Sequence, residues 1–217
     1  YQVPTLLSNG ICIVISPLLA LIHDQVNSLN KKNIKAIALT SQLSQEETIR
    51  AFDNLQFGDF KFLYLSPEKL KSSLIQEKIK QLHVSIVAID EAHCISEWGH
   101  DFRPAYLQLK LLKELHPNAA FIALTATATQ KVLNDIKTNL EIKDAVVFKK
   151  SFNRTNLNYH VLTSEDIYGK LLQILGKIKG SIIIYTATRR QTVDISYFLV
   201  KNNLKCSYYH GGLSSDE

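Results

Sequence analysis

The sequence predicts an α/β protein built on mostly parallel β-sheet. Short runs rich in Ile, Val, Phe and Tyr recur along the chain, and a longer stretch with helical spacing follows each of them. The runs are continuously apolar rather than alternating, which is typical of strands covered by helices on both faces. Strand–helix alternation also requires crossover connections, and these make neighbouring strands parallel. With 217 residues and 46% hydrophobic content, the chain can bury such a core.

The first part of the chain carries five predicted strands with helices between them. The strands are expected at Ile11–Ile15, Ile34–Leu39, Phe60–Leu65, Val84–Ile89 and Ala119–Leu124. The helices are expected at Leu18–Asn30, Gln45–Gln56, Ala105–Leu115 and Gln130–Leu140. Several of these helices begin after Ser, Thr or Pro, as helix N-termini commonly do.

The alternation breaks after Val147 and restarts at Leu157, with a polar, aperiodic segment between them. We therefore predict two domains, residues 1–150 and residues 151–217. In the second domain the predicted elements are strands at Leu157–Leu162, Ser181–Tyr185 and Cys206–Tyr209 and helices at Ile167–Ile178 and Arg190–Lys201. This set amounts to about half of an ordinary domain.

Composition excludes several classes of protein. The three cysteines, Cys12, Cys94 and Cys206, are odd in number and far apart, which argues against a disulfide framework and a zinc site and predicts a reducing, cytoplasmic compartment. No apolar run approaches the roughly 18 residues of a membrane helix, so we predict no membrane partner. The net charge of +5 suits a polyanionic partner, but many proteins without one carry a similar charge.

Two adjacent carboxylates, Asp90 and Glu91, end the predicted strand Val84–Ile89. In open parallel sheets, ligands gather at the carboxyl ends of the strands. In nucleoside-triphosphate hydrolases an acid at this place holds Mg²⁺, usually through water, and a neighbouring carboxylate can orient the attacking water. The alternative is that Asp90 caps a following helix and Glu91 is solvated.

The residues around this pair resemble a known family. Asp90-Glu91-Ala92-His93 resembles the Walker B box of DEAH-type helicases, and the run from Cys94 to Pro104 resembles the aromatic-rich loop of the RecQ DNA helicases. Three further segments resemble that family's motifs Ia, Ib and III, in the family's order: Ile15–Leu21, Leu65–Glu68 and Ala123–Thr129.

The RecQ resemblance implies two RecA-like domains and a motor that uses ATP and Mg²⁺ to unwind DNA with 3′ to 5′ polarity in recombination and repair. Its partners would be single-stranded and partly duplex DNA, and in a bacterium it would associate with the nucleoid. Asp90, Glu91 and His93 would be catalytic, with Asp90 holding the Mg²⁺ through water.

The loop from Trp98 to Pro104 alternates aromatic and basic side chains. Bases stack on aromatic rings, and the resemblance implies that this loop senses single-stranded DNA through Trp98, Phe102 and Arg103 and couples it to ATP hydrolysis. The alternative is that Trp98 and Phe102 are core residues.

Two hydroxyl-bearing strand ends complete the predicted site of the first domain. Thr125 and Thr127 can hydrogen-bond His93 or the carboxylates and take part in the coupling, or they are ordinary strand-end caps. Ser16 and Pro17 lie between a strand and a helix, so the Ser16 hydroxyl and backbone N–H groups are expected to meet a phosphate of the DNA, unless this is a mere helix start.

In the second domain, the segment from Ser151 to Leu157 resembles the family's entry into its second RecA-like domain, with Thr155 where Pro is usual. Ile184–Arg189 and Tyr209–Leu213 resemble later motifs of that domain. The resemblance implies DNA-backbone contacts from Arg154, Arg189 and His210, although a solvated Arg189 remains an alternative.

The sequence contains no Gly-x-x-x-x-Gly-Lys-Ser/Thr phosphate loop. Together with the absence of the family's motifs V and VI, this predicts that both domains are incomplete and that these 217 residues hydrolyse no ATP alone. Two alternative functions stay open: a passive nucleic-acid-binding module without ATPase activity, and a DEAH-type RNA helicase, which the aromatic loop disfavours.

Overall fold

A computed structural model of the chain describes residues 1–40, 43–151 and 154–213. The chain divides into two compact units, Tyr1–Lys149 and Lys150–Glu217. None of the described helices combines the length and the apolarity needed to cross a bilayer.

The first unit is built on a five-stranded parallel sheet with the order β2-β3-β1-β4-β5. The strands are β1 (Ile11–Ile15), β2 (Ala36–Leu39), β3 (Phe62–Leu65), β4 (Val84–Ile89) and β5 (Ala120–Ala123). The predicted α/β class with a parallel sheet is confirmed.

Helices cover both faces of this sheet. The helices are α1 (Gln2–Leu7), α2 (Leu19–Lys31), α3 (Gln45–Phe57), α4 (Ser73–Lys80), α5 (Lys110–Leu115) and α6 (Gln130–Asn139). Alternate residues of β1 enter two separate cores: Ile13 lies with α3, α4, α5 and α6 on one face, and Val14 lies with α2 on the other. Burial on both faces explains why β1 is apolar at every position.

Some predicted elements differ in the structure. The single helix expected at Ala105–Leu115 is a 3₁₀ helix, Pro104–Leu109, followed by α5. Within the 3₁₀ segment Tyr106 and Leu109 are both fully buried, and a spacing of three residues places them on one face of a three-residue turn. Helices α1 and α4 and a further 3₁₀ helix, Pro67–Lys71, were not predicted.

The described part of the second unit contains two helices, α7 (Ile167–Leu175) and α8 (Arg189–Lys201). They pack through an edge-to-face contact of the Tyr168 and Phe198 rings, whose centroids are 4.7 Å apart. The three predicted strands of this unit are wrong, because no strand is present in the described residues 154–213. A strand is held by ladder hydrogen bonds and by a buried face, yet Val161 and Tyr185 are 96% and 89% exposed. Phe152 and Asn153, part of the predicted domain entry, lie outside the described residues.

Candidate functional site

The carboxyl ends of three neighbouring strands meet at one edge of the sheet. Beyond β4, the backbone N–H of Asp90 donates to the carbonyl of Ile15 at 2.8 Å. Beyond β5, the N–H of Leu124 donates to the carbonyl of Ile89, also at 2.8 Å. The segments that carry Ser16, Asp90 and Thr125 are therefore adjacent, as ligand sites of parallel sheets require.

Glu91 occupies the left-handed backbone region, with φ 47° and ψ 44°, and its N–H donates to Asp90 Oδ1 at 3.0 Å. The 3₁₀ helix Ala92–Ile95 follows directly, and its N-cap is Glu91, which makes no capping bond through its side chain. Among the described contacts, the Asp90 carboxylate accepts a hydrogen bond only from the N–H of Glu91. It does not cap the helix Ala92–Ile95, so the interpretation of Asp90 as a helix cap does not fit.

His93 joins the acidic pair to the end of β5. Its ring is buried, and Nδ1 lies 2.9 Å from Thr125 Oγ1 and 3.2 Å from Glu91 Oε2. The Thr125 hydroxyl donates its own proton to the Thr127 carbonyl at 3.1 Å and accepts the Thr127 N–H at 3.2 Å. Thr125 therefore accepts from His93, which places the proton of a neutral His93 on Nδ1.

Burial lowers the pKa of His93, and the neighbouring His100 lowers it further, against the opposite effect of Glu91. The two imidazole rings stack with centroids 4.2 Å apart. A neutral His93 at neutral pH keeps the Glu91 carboxylate free of a permanent ion pair.

Tyr106 holds the backbone of the acidic pair from within the core. It is fully buried, and its hydroxyl donates to the Asp90 carbonyl at 2.9 Å. Burial raises the pKa of this phenol, so it remains a donor. Sequence reasoning missed Tyr106, and no local pattern distinguishes it from an ordinary core tyrosine.

The aromatic loop presents its tryptophan to solvent. Trp98 is 67% exposed, which rules out the interpretation as a core residue, whereas Phe102 is half-buried. The Lys131 ammonium from α6 lies 3.0 Å from the centroid of the Trp98 ring. Lys131 was not among the predicted residues, since only the fold brings α6 to this loop.

Arg103 links the loop to the end of β1. Its Nε and Nη2 atoms both donate to Asp101 Oδ2 at 3.1 Å, and Nη1 donates to the Pro17 carbonyl at 3.3 Å. Next to Pro17, the backbone N–H of Ser16 is not free as expected, because it donates to the Leu65 carbonyl at 3.2 Å. The Ser16 hydroxyl is buried and has no hydrogen-bond partner among the described residues.

A cleft of about 240 Å³ joins these groups. It is lined by residues that follow β1, β4 and β5 together with the loop: Pro17, Leu18, Glu91, His93, Cys94, His100, Asp101, Ala126 and Thr127. No cluster of three or more His, Cys, Asp or Glu side chains suited to a metal occurs in the described parts of the chain. Mg²⁺ commonly takes only one or two carboxylates and completes its shell with water and phosphate oxygens, so Asp90 alone fits that donor set.

In the second unit, the Arg189 and His210 side chains both lie beside Gly212, and none of the described contacts joins Arg154 to them. A Cβ on Gly212 would stand 2.9 Å from Arg189 Nη1 and 3.4 Å from His210 Nδ1, so the glycine allows both side chains to approach. The N–H of Gly212 donates to His210 Nδ1 at 3.2 Å. Arg154 is exposed, and its carbonyl accepts the Leu157 N–H at 3.1 Å.

Known proteins are similar to this chain in sequence and in fold. Residues 1–136 match the family model of the DEAD/DEAH box helicases. The whole chain is 40% identical to the probable ATP-dependent DNA helicase RecS of Bacillus subtilis, and 39% identical both to the ATP-dependent DNA helicase RecQ of that organism and to the ATP-dependent helicase SGS1 of Saccharomyces cerevisiae. The chain spans 44%, 37% and 16% of the lengths of these three relatives.

Among solved structures, the helicase domain of Hef from Pyrococcus furiosus is similar over 65% of this chain and 30% of its own, with a TM-score of 0.50 and 22% identity. This likeness shows the fold alone. The family match and the three relatives confirm the resemblance stated from the sequence, and the chain belongs to the DEAD/DEAH box helicases, as a relative of the RecQ DNA helicases.

Proposed function

We propose that this chain is part of an ATP-driven 3′ to 5′ DNA helicase of RecQ type. It would serve recombination and repair in the cytoplasm, at the nucleoid if the cell is bacterial. One observation carries the proposal. Two carboxylates, a buried neutral histidine and a threonine hydroxyl converge at the carboxyl edge of a parallel sheet, beside an exposed aromatic loop.

These contacts support the following roles. Asp90 would hold Mg²⁺ through water, and Glu91 would orient or deprotonate the water that attacks the γ-phosphate of ATP. When bound, Mg²⁺-ATP supplies the phosphoanhydride to be cleaved and a charge that offsets the developing negative charge. His93, hydrogen-bonded to Thr125, fixes the position of the Glu91 side chain, since its Nδ1 lies 3.2 Å from Oε2.

The DNA side of the proposal assigns stacking to Trp98 and Phe102 and backbone contacts to Arg103 and to the Ser16-Pro17 strand end. Arg103 supports this role because it connects the loop to the Pro17 carbonyl. The Ser16 hydroxyl, which has no hydrogen-bond partner in the described part of the chain, is the proposed donor to a phosphate oxygen. Thr125 and Thr127 carry the coupling to His93.

The second unit adds backbone contacts from Arg154, Arg189 and His210 in this proposal, and residues 1–150 and 151–217 correspond to parts of two RecA-like domains. The 217 residues contain no lysine-bearing phosphate loop. Single groups of such a site have large effects, since an arginine finger alone changes the rate of hydrolysis by about 10³- to 10⁵-fold. We therefore expect no appreciable ATP hydrolysis from the 217-residue chain by itself.

Unwinding is tested in an extended protein, in which this chain replaces the segment it matches in the RecS relative. With ATP and Mg²⁺, the extended protein is expected to displace a strand from a DNA duplex with a 3′ single-stranded tail and not from one with a 5′ tail. An RNA duplex of the same sequence is the control. Displacement of RNA in preference to DNA would favour the RNA helicase, and DNA binding without displacement would favour the passive module.

A further inference from the structure

One face of the Trp98 ring is already occupied in this structure. The Lys131 Nζ lies 3.0 Å from the ring centroid, although the ring as a whole is 67% exposed. An ammonium in this position is held by attraction to the negative face of the indole. A base that stacked on this face of the ring would need the space that the ammonium occupies.

The loop that carries Trp98 is fixed at its base by the same helix. The buried Ser96 hydroxyl donates to Asp135 Oδ2 at 2.5 Å, and the Trp98 N–H donates to Ser96 Oγ at 3.2 Å. Lys131 and Asp135 are four residues apart on α6, so they lie on one side of the helix. Helix α6 therefore holds the base of the loop through Asp135 and covers its tip through Lys131.

We propose that Lys131 covers Trp98 in the DNA-free protein and is displaced by a nucleic-acid base. This inference rests on the proposed function, in which Trp98 binds single-stranded DNA. A stacked base needs its atoms roughly 3.5 to 4 Å from the ring, and the ammonium occupies that space, so the two cannot share one face. Base stacking on an aromatic ring generally outweighs an exposed cation–π contact, so the base prevails once DNA is present.

Lys131 lies in the first turn of the helix that follows the Thr125 segment. Helix α6 begins at Gln130 and is capped by Thr129, whose Oγ1 accepts the Val132 N–H at 3.3 Å. Thr125, which contacts His93, precedes that cap by one short loop. Lys131 and the hydroxyl beside His93 are therefore separated by one helix N-terminus and one short loop.

The cover is tested by fluorescence, because Trp98 is the single tryptophan of the chain. Acrylamide, a neutral quencher, is titrated into the DNA-free 217-residue chain and into its Lys131→Ala and Lys137→Ala variants. Lys131→Ala should raise the quenching constant by about twofold, because it uncovers one of the two ring faces. Lys137→Ala removes the same charge further along α6, where Nζ contacts the Lys143 carbonyl at 3.4 Å, and should leave quenching unchanged. Equal quenching in all three proteins would contradict the proposal that Lys131 covers one face of the Trp98 ring.

Displacement is tested by titrating oligothymidylate into the same proteins at raised salt, where distant charges are screened. DNA should protect Trp98 from acrylamide, and Lys131→Ala should bind about two- to fivefold more tightly than Lys137→Ala, the factor expected for loss of an exposed cation–π contact. Weaker binding by Lys131→Ala than by Lys137→Ala, or no protection of Trp98, would overturn displacement. The acrylamide measurement uses neither DNA nor ATP, so it stands or falls separately from the helicase assignment.

Discussion

Glu91 is the residue whose backbone departs most clearly from ordinary geometry at the site. A left-handed conformation in a residue other than glycine costs about 1–3 kcal/mol and persists only where its surroundings enforce it. Here both neighbours are fixed, because the N–H of Asp90 bonds Ile15 and the N–H of Ala92 bonds Leu124, each at 2.8 Å. The strained turn directs the Glu91 carboxylate towards His93, 3.2 Å away.

The buried histidine also predicts how stability depends on pH. Burial lowers the pKa of His93 in the folded chain, so the unfolded chain takes up a proton first as the pH falls. The stabilisation is fully present above the pKa of histidine in the unfolded chain, about 6.5, and is lost as the pH falls through the lower pKa of His93 in the folded chain. We expect the melting temperature of the chain to decrease between neutral pH and about pH 5.

The variant His93→Gln isolates this contribution. It removes the titrating group, so its melting temperature should be lower at neutral pH but should decrease less on acidification. His116, whose pKa burial also lowers, remains in both proteins and accounts for the residual slope. Parallel pH profiles for the two proteins would contradict a neutral, buried His93.

At the scale of elements, strand prediction succeeded where a strand is buried on both faces. Both β1 and β4 coincide with their predicted ranges, because each is an apolar run, interrupted in β4 only by Ser85, with polar residues beyond its end. In the second unit, residues 181–185 have the same apolar character but form no ladder. Apolar composition indicates a tendency to be buried, but it does not indicate whether a partner strand is present.

The candidate site was predictable where motif and strand end coincide, and not where a helix packs against a loop. Asp90, Glu91 and His93 follow β4 directly, and Thr125 follows β5. Lys131 and Tyr106 reach the site only through tertiary packing, so their sequence neighbourhoods carry no sign of it.

The aromatic loop yields a prediction of its own. In the extended protein, Trp98→Ala should remove most of the stimulation of ATP hydrolysis by single-stranded DNA, because the stacking surface is lost. Its melting temperature should hardly change, since an exposed ring contributes at most about 1 kcal/mol through its cation–π contact, against about 3–5 kcal/mol for a buried tryptophan.

Thermal melts are compared with phosphate release in the presence and absence of single-stranded DNA. A clearly destabilised Trp98→Ala protein that is still fully stimulated by DNA would make Trp98 a packing residue. Phe102→Ala is a useful comparison, because Phe102 is half-buried and its loss should affect both measurements.

For the molecule as a whole, the parallel sheet explains how residues that are distant in sequence come to lie at one site. Ser16, Asp90 and Thr125 are far apart in sequence, yet they follow three strands that are neighbours in the order β1-β4-β5. The aromatic loop is inserted between β4 and β5, after the acidic pair and the short 3₁₀ helix Ala92–Ile95. The proposed nucleic-acid sensor and the proposed hydrolytic centre therefore lie on one sheet within the first unit.

The most direct test of this account is phosphate release by the extended protein carrying Glu91→Gln, measured with saturating single-stranded DNA, ATP and Mg²⁺. Removal of the water-orienting carboxylate should lower turnover by about 10²- to 10⁴-fold while ATP and DNA still bind, because glutamine keeps the size of the side chain. A rate within a few-fold of the unmodified extended protein would contradict the account and leave Asp90 and Glu91 as an ordinary strand end.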